Sequence, residues 1–455
     1  MPLSFDSQRI LILGAGVTGN AVARSLIKRG AVVSIADENP AAKSEHTVID
    51  AKNVVIKDFD SVVISPGWRQ DHSLVVAAME AGLTLLNEVD LAWQIKSEMA
   101  PSQKWLALTG TNGKTTTVEM VASMLKSGGL KATACGNVGE TVIEVVDRSD
   151  AFEVLVLELS SFQLHWSKQA QFVACAILNI ADDHIDWHGS FDAYAQAKLT
   201  ILDRTPTAIL NASDGEIVKR SSHWQGRKVF YSLDTPAPGE IGLVEELLVD
   251  RAFVQDPQEA SMFAELAEVK PTLPHNVSNT LAAAALARTA GVSHEDIRSA
   301  IKAFRPGRHR IETVHTADSI NWVDDSKATN PHAATASLLS HESVIWIAGG
   351  LAKGAQMQEL VERTAKRIKA AILIGTDRGL IEAELIKFCP DVPRVLIDGN
   401  SSQELMEKAV SAAQGFAQSG DTVLLAPACA SMDQFISYAD RGDCFASAVK
   451  KVVGK

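Results

Sequence analysis

The stretch that most constrains this chain is Trp105-Leu-Ala-Leu-Thr-Gly110-Thr-Asn-Gly113-Lys114-Thr115-Thr116-Thr117. An apolar strand runs into a glycine turn, then Lys-Thr, then a helical stretch predicted to begin near Val118. Strand, glycine loop and helix in that order call for an α/β unit with a parallel sheet. Glycines let backbone N–H groups close around a phosphate, and a helix N-terminus adds a partial positive charge. In such a loop Lys114 reaches the outer phosphates of a nucleotide, and the Thr115 hydroxyl holds a magnesium ion. The strict pattern has one more glycine where this chain has Leu108, so the loop is a variant. Gly110, Thr111, Asn112, Gly113, Lys114, Thr115, Thr116 and Thr117 are therefore candidates for binding ATP or a close relative.

At 455 residues the chain has room for about three domains, each with a substantial core. A net charge of −12 argues against a broad electrostatic grip on nucleic acid or on an anionic membrane. The five cysteines, Cys135, Cys175, Cys389, Cys429 and Cys444, form no CxxC, which fits reduced thiols better than disulfides or zinc. No signal-peptide pattern precedes the strand at Arg9, and no apolar run has transmembrane length. The expectation is a soluble cytoplasmic protein.

The organisation reads as three α/β segments, 1–97, 98–304 and 305–455. The first alternates a strand at 9–13, a helix at 17–28, a strand at 31–37, and further strands at 54–56 and 61–65. The second opens with the phosphate loop and continues through strands at 152–159 and 172–179, too apolar for a wet face. Its Pro-rich, acidic stretch 235–274 reads as loops and edge strands. The third offers strands at 344–348, 371–375, 394–398 and 422–426 separated by helical stretches, again a parallel sheet.

Gly14-Ala-Gly16-Val-Thr-Gly19 follows the first strand and Asp37 closes the next, as in a dinucleotide site with its ribose-binding acid. The chemistry common to this pattern is pyrophosphate on a helix N-terminus. NAD, another diphosphate ligand and a purely structural turn all satisfy it. In the middle segment, Glu158 stands near the C-terminal end of an apolar strand, the end that opens onto a ligand crevice. A carboxylate buried there needs a partner, which magnesium at the phosphate loop supplies. Asp183-His184-Ile-Asp186-Trp-His188 follows the next strand; the two histidines lack the HExxH pattern of a zinc site, and the aspartates indicate a turn. From Ser190, a good N-cap, Phe191, Tyr194, Ala195, Lys198 and Leu202 line one helical stripe. Lys198 in that apolar stripe is either a lysine snorkelling to the rim or a buried amine of altered chemistry.

Residues 110–117, Leu157-Glu-Leu-Ser-Ser-Phe-Gln-Leu164, Asp183-His-Ile-Asp186, Lys198, His275-Asn-Val-Ser-Asn279, Gly307-Arg-His-Arg310, Asp325-Ser-Lys-Ala-Thr-Asn330 and Pro427-Ala-Cys-Ala-Ser-Met-Asp-Gln-Phe435 stand in one order along essentially the whole chain. Together they resemble the Mur ligases of bacterial cell-wall synthesis. The stretches 325–330 and 427–435 are most similar to members that add D-glutamate to UDP-N-acetylmuramoyl-L-alanine; a sibling adding another amino acid is the alternative.

The resemblance implies a Rossmann-like UDP-binding domain, a central P-loop ATPase-type domain and a C-terminal Rossmann-like domain. It implies phosphorylation of a substrate carboxylate by ATP, attack of an amine on the acyl phosphate, and collapse of a tetrahedral intermediate. It also implies two Mg2+ ions, a carbamate on Lys198, and a monomer in the bacterial cytoplasm. Residue by residue, Gly14, Ala15, Gly16, Val17, Thr18, Asp37, Gly67, Asn137 and His184 would meet the UDP substrate. Lys114 would stabilise the moving phosphoryl group; Thr115, Glu158, His184 and carbamylated Lys198 would ligate metal. Asn279, Arg310 and Asp325 would reach the nucleotide, and Lys327, Thr329, Lys353, Ser431 and Tyr438 would receive D-glutamate. Ser431 is expected where a helix begins after the strand 422–426. Tyr438 departs from the phenylalanine of relatives, and Ala352 from their aspartate.

Overall fold

Continuous apolar runs separated by helical stretches resolve into three sheets in the computed structural model, which describes residues 5–39, 41–42, 44–148, 152–256 and 258–454. The first sheet contains β1 (Arg9–Leu13), β2 (Val32–Asp37), β3 (Val48–Asp50), β4 (Ser61–Ile64) and β5 (Thr84–Asn87), all parallel, in the order β3-β2-β1-β4-β5. Ile10, Leu11, Ile12 and Leu13 are all buried, so both faces of β1 are covered. The strand order turns back at β1 and β4, which puts the loop after β1 at the switch point where such sheets bind ligands.

The second sheet contains β6 (Lys104–Thr109), β7 (Ala132–Gly136), β8 (Val154–Glu158), β9 (Ala174–Ile177), β10 (Thr207–Asn211), β11 (Arg227–Tyr231), β12 (Ile241–Val244), β13 (Leu247–Asp250) and β14 (Ser261–Glu265). Its order is β14-β13-β12-β11-β10-β9-β6-β8-β7. Strands β6 to β12 pair in parallel, whereas β13 and β14 extend the sheet by antiparallel pairing, so the described residues of 235–274 are mainly loops and edge strands. The phosphate loop leaves β6 between β8 and β9, again a switch point. The helix Pro274–Thr289 packs a run of buried residues from Leu281 to Ala287 into the core beneath this sheet.

The third sheet contains β15 (Glu312–Ala317), β16 (Ile320–Asp324), β17 (Val344–Gly349), β18 (Ile368–Ile374), β19 (Arg394–Leu396) and β20 (Thr422–Leu425), in the order β15-β16-β20-β17-β18-β19. Only β15 is antiparallel. Trp322 and Trp346 are fully buried, on opposite faces of this sheet's two cores. The chain forms two compact units. One is Met1–Ile180 with Asp192–Phe304; the other is Arg305–Lys455 with Ala181–Phe191. Among the described residues no helix is long and apolar enough to cross a membrane.

Three local expectations are corrected. Residues 54–56 are no strand: the Asp50 carboxylate accepts from Lys52 N–H at 3.0 Å and turns the chain early, and Val54 and Ile56 are apolar because they pack on the core below. The helix after the phosphate loop starts at Lys114, four residues before Val118, because Gly113 takes φ +81° and its carbonyl already accepts from Thr117 N–H. No helix begins at Ser431. The chain there makes a turn, Ala428 is at φ +60°, and the helix starts at Tyr438 behind its Ser437 cap.

Candidate active site

The phosphate loop is held from several sides. A Cβ at Gly113 would lie 2.4 Å from Asn279 Oδ1, so only glycine lets Asn279 approach the loop at this left-handed position. Thr111 Oγ1 and Tyr194 Oη are 2.8 Å apart, and Thr109 Oγ1 donates to Leu159 O at 2.8 Å. Lys114 and Lys198 converge on one acceptor: their Nζ atoms donate to Gly110 O at 2.9 and 2.8 Å. Lys114 also donates to Thr111 O. Lys198 is only 2% exposed and lies over the Tyr194 ring at 4.6 Å, so it does not snorkel to a rim.

Glu158 ends β8 in register with Leu108 on β6, beside the root of the loop. It is 1% exposed. Oε1 accepts from Asn137 Nδ2 at 3.0 Å, whereas Oε2 is buried with no hydrogen-bond partner. A buried carboxylate oxygen without a donor is costly, and a cation satisfies it. Asn137 N–H donates to Glu158 O at 2.9 Å, so Asn137 and Glu158 form one rigid pair. His275, on the helix that carries Asn279, is held below the usual histidine range by burial.

In the first sheet, Gly14 is at φ +103° and Gly19 packs so closely on Gly14 O that a Cβ would lie 1.9 Å away. The half-buried Asp37 carboxylate meets the backbone with both oxygens, and Oδ1 accepts from Asn39 N–H at 2.9 Å. Oδ2 accepts from Ala15 N–H at 2.8 Å and fastens the glycine loop to the end of β2. Gly16 has open space around it, Val17 is 72% exposed, and Thr18 is half-buried. Gly67 is exposed in the turn after β4, where Trp68 Nε1 comes within 3.0 Å of a Cβ position on Gly14.

The remaining candidates lie in the second unit. His184 takes φ +53°, and its Nε2 is 3.6 Å from Asp183 Oδ2. Asp325 is buried, and burial pushes its carboxyl up to about 7. Arg310 and Thr329 are half-buried. Lys327 places its ammonium 4.0 Å from the Tyr438 ring centroid, a cation–π contact. The exposed Lys353 sits at φ +50°, just after Ala352, whose N–H donates to Asp377 Oδ2 at 2.8 Å. Leu351 and Ala430 exchange two 2.9 Å backbone hydrogen bonds, which joins the Lys353 loop to buried Ser431.

Some contributors were not read from the sequence. Arg441 is fully buried and binds neutral acceptors: Ser326 Oγ and Ser326 O at 3.0 Å and Cys429 O at 3.1 Å. Burial pushes its guanidinium down to about 10. It ties 325–330 to 427–431. A charge at i, i+4 and i+7 from Phe445 and Ala448 on an amphipathic helix was the available signal. His309 Nδ1 and Asp324 Oδ2 are 2.7 Å apart, and the aspartate raises the histidine's affinity for its proton.

Residues 108–287 match the Mur ligase middle domain, and residues 309–429 match the Mur ligase glutamate ligase domain. The chain is 45% identical to UDP-N-acetylmuramoylalanine--D-glutamate ligase of Thermobifida fusca, with 99% of this chain and 100% of that one covered. It is 43% identical to the Streptomyces coelicolor protein of the same name, with coverage of 99% and 100%. The fold is similar to UDP-N-acetylmuramate-alanine ligase from Thermotoga maritima, at a TM-score of 0.60 and 19% identity over 98% of this chain and 99% of that one.

Proposed function

The chain belongs to the Mur ligase family, and on that footing we infer that it is an ATP-dependent ligase adding D-glutamate to UDP-N-acetylmuramoyl-L-alanine in peptidoglycan precursor synthesis. The observation that carries this reading is the 45% identity to a relative of that name over both full lengths. The phosphate loop with its two lysines and Glu158 supports the nucleotide half of the reaction. A site in the bacterial cytoplasm and action as a monomer belong to the same proposal.

We assign the roles as follows. The loop Gly14, Ala15, Gly16, Val17 and Thr18, with Asp37, Gly67, Asn137 and His184, receives the UDP substrate. Residues 110–117 with Asn279, Arg310 and Asp325 receive ATP. Lys327, Thr329, Lys353, Ser431 and Tyr438 receive D-glutamate. The partnerless oxygen of Glu158 fits a magnesium ion, with Thr115 as the second protein ligand; His184 and a carbamate on Lys198 are the ligands assigned to a second ion. Bound magnesium neutralises phosphate charge and polarises the phosphoryl group.

The substrate carboxylate oxygen attacks the terminal phosphorus of ATP as the bond to ADP breaks. Lys114 supplies positive charge where the phosphoryl group moves. The D-glutamate amine then adds to the acyl carbon and loses its proton. The tetrahedral intermediate collapses to the amide, and phosphate leaves with one former carboxylate oxygen. A heavy-oxygen label in the substrate carboxylate tests this: it should appear in the released phosphate, and label-free phosphate would overturn the acyl-phosphate step.

A further inference from the structure

Asn179 follows β9, two residues beyond its last strand position, and none of the roles above uses it. Its backbone carbonyl accepts from Thr111 N–H at 2.9 Å. Its side chain makes a reciprocal pair with Asn112: Oδ1 accepts from Asn112 N–H at 2.7 Å, and Nδ2 donates to Asn112 O at 3.1 Å. One residue thus copies the hydrogen-bond pattern of another strand and extends the β6–β9 pairing into the phosphate loop. The anchor is itself anchored. Leu178 N–H donates to Thr109 O at 3.0 Å, Asn211 Nδ2 holds Leu178 O at 2.9 Å, and Asp214 Oδ2 accepts from Ile180 N–H at 2.8 Å.

A glycine loop is flexible by composition, yet its amides must face a phosphate in one arrangement before binding to gain affinity. We propose that Asn179 is a positioning residue for ATP: it fixes the backbone of Thr111 and Asn112 so that Gly113 and the helix start at Lys114 present a preformed phosphate cradle. The proposal rests on the reading that residues 110–117 hold ATP. Asparagine is suited to the task because its amide carries one acceptor and one donor, matching a peptide unit. Alanine keeps the main-chain bond from Thr111 but removes both side-chain hydrogen bonds to the Asn112 backbone.

The test compares Asn179→Ala with Asn211→Ala in the full-length enzyme. Asn211 holds the same strand end from the other side, through Leu178 O. Asn179→Ala should raise KM for ATP tenfold or more, with kcat falling less than threefold and KM for D-glutamate within twofold. Asn211→Ala should lower the melting temperature while keeping all three constants within twofold. Asn179→Ala with an unchanged KM for ATP, or Asn211→Ala with the same KM rise, would overturn the clamp and leave a structural residue. Calorimetry with magnesium-ADP separates the premise: the unaltered protein should bind it and Lys114→Ala should not. No binding by the unaltered protein would overturn the nucleotide site and the clamp together.

Discussion

At Gly113 an alanine would combine a φ of +81° with a Cβ 2.4 Å from Asn279 Oδ1, so the backbone would be strained and Asn279 would have to turn its amide away from the loop. Strain of this kind costs about 1–3 kcal/mol. Gly113→Ala should therefore lower the melting temperature and raise KM for ATP together; an unchanged KM would contradict the loop's role. At Lys198 the expectation concerns chemistry. Lys198→Ala should lower turnover sharply, and short carboxylic acids, unlike bicarbonate, should restore part of it by replacing the missing anion. Full activity in that variant would remove the carbamate, as would a label-free Lys198 in carbon-13 dioxide spectra. Lys114 and Glu158 were legible in the sequence because their residue type and place after a strand carry the chemistry. Asn179 was not, because its side chain acts on the Asn112 backbone, which leaves no motif, and Arg441 showed only as a charge on the apolar face of its helix.

Between elements, the clearest dependence on conditions lies where two helices start. Glu88 opens the helix Glu88–Met99, and its Oε1 accepts from Ile143 N–H at 2.7 Å at the start of the helix Val142–Val146. It is buried, and desolvation pushes its carboxyl up to about 7 from an ordinary 4.5. A raised acid holds more proton when folded than when unfolded, so its contribution to stability is present below the unfolded value and lost as pH rises to about 7. Glu88→Gln should flatten the fall in stability between about pH 4.5 and 7, as followed by chemical denaturation across pH. Asp325, also near 7, keeps part of that slope; a wild-type slope in the variant would contradict the assignment. Most element types followed from apolar runs, whereas 54–56 and several boundaries failed where a local turn intervened. Asp50 turned the chain before 54–56, and Gly113 started a helix four residues early. Short strands such as β5 and the antiparallel β15 carried too little apolar length to stand out.

Over the whole molecule, three α/β segments with parallel sheets could be read from periodicity and turn residues, whereas the strand orders that make switch points at the first two glycine loops could not. The grouping of Ala181–Phe191 with the last third of the chain could not, since it depends on contacts distant in sequence. The glycine loop at 14–19, proposed to receive UDP, and the phosphate loop leave different sheets, so Lys114→Ala should abolish phosphoryl transfer while UDP-substrate affinity stays within threefold by calorimetry. Loss of both would mean that the two loops act as one site. The most direct measurement is phosphate release with ATP, magnesium and UDP-N-acetylmuramoyl-L-alanine, comparing D-glutamate with L-alanine, L-lysine and diaminopimelate. Release should require D-glutamate. Release with one of the other amino acids instead would contradict the assigned activity and make the chain a sibling ligase.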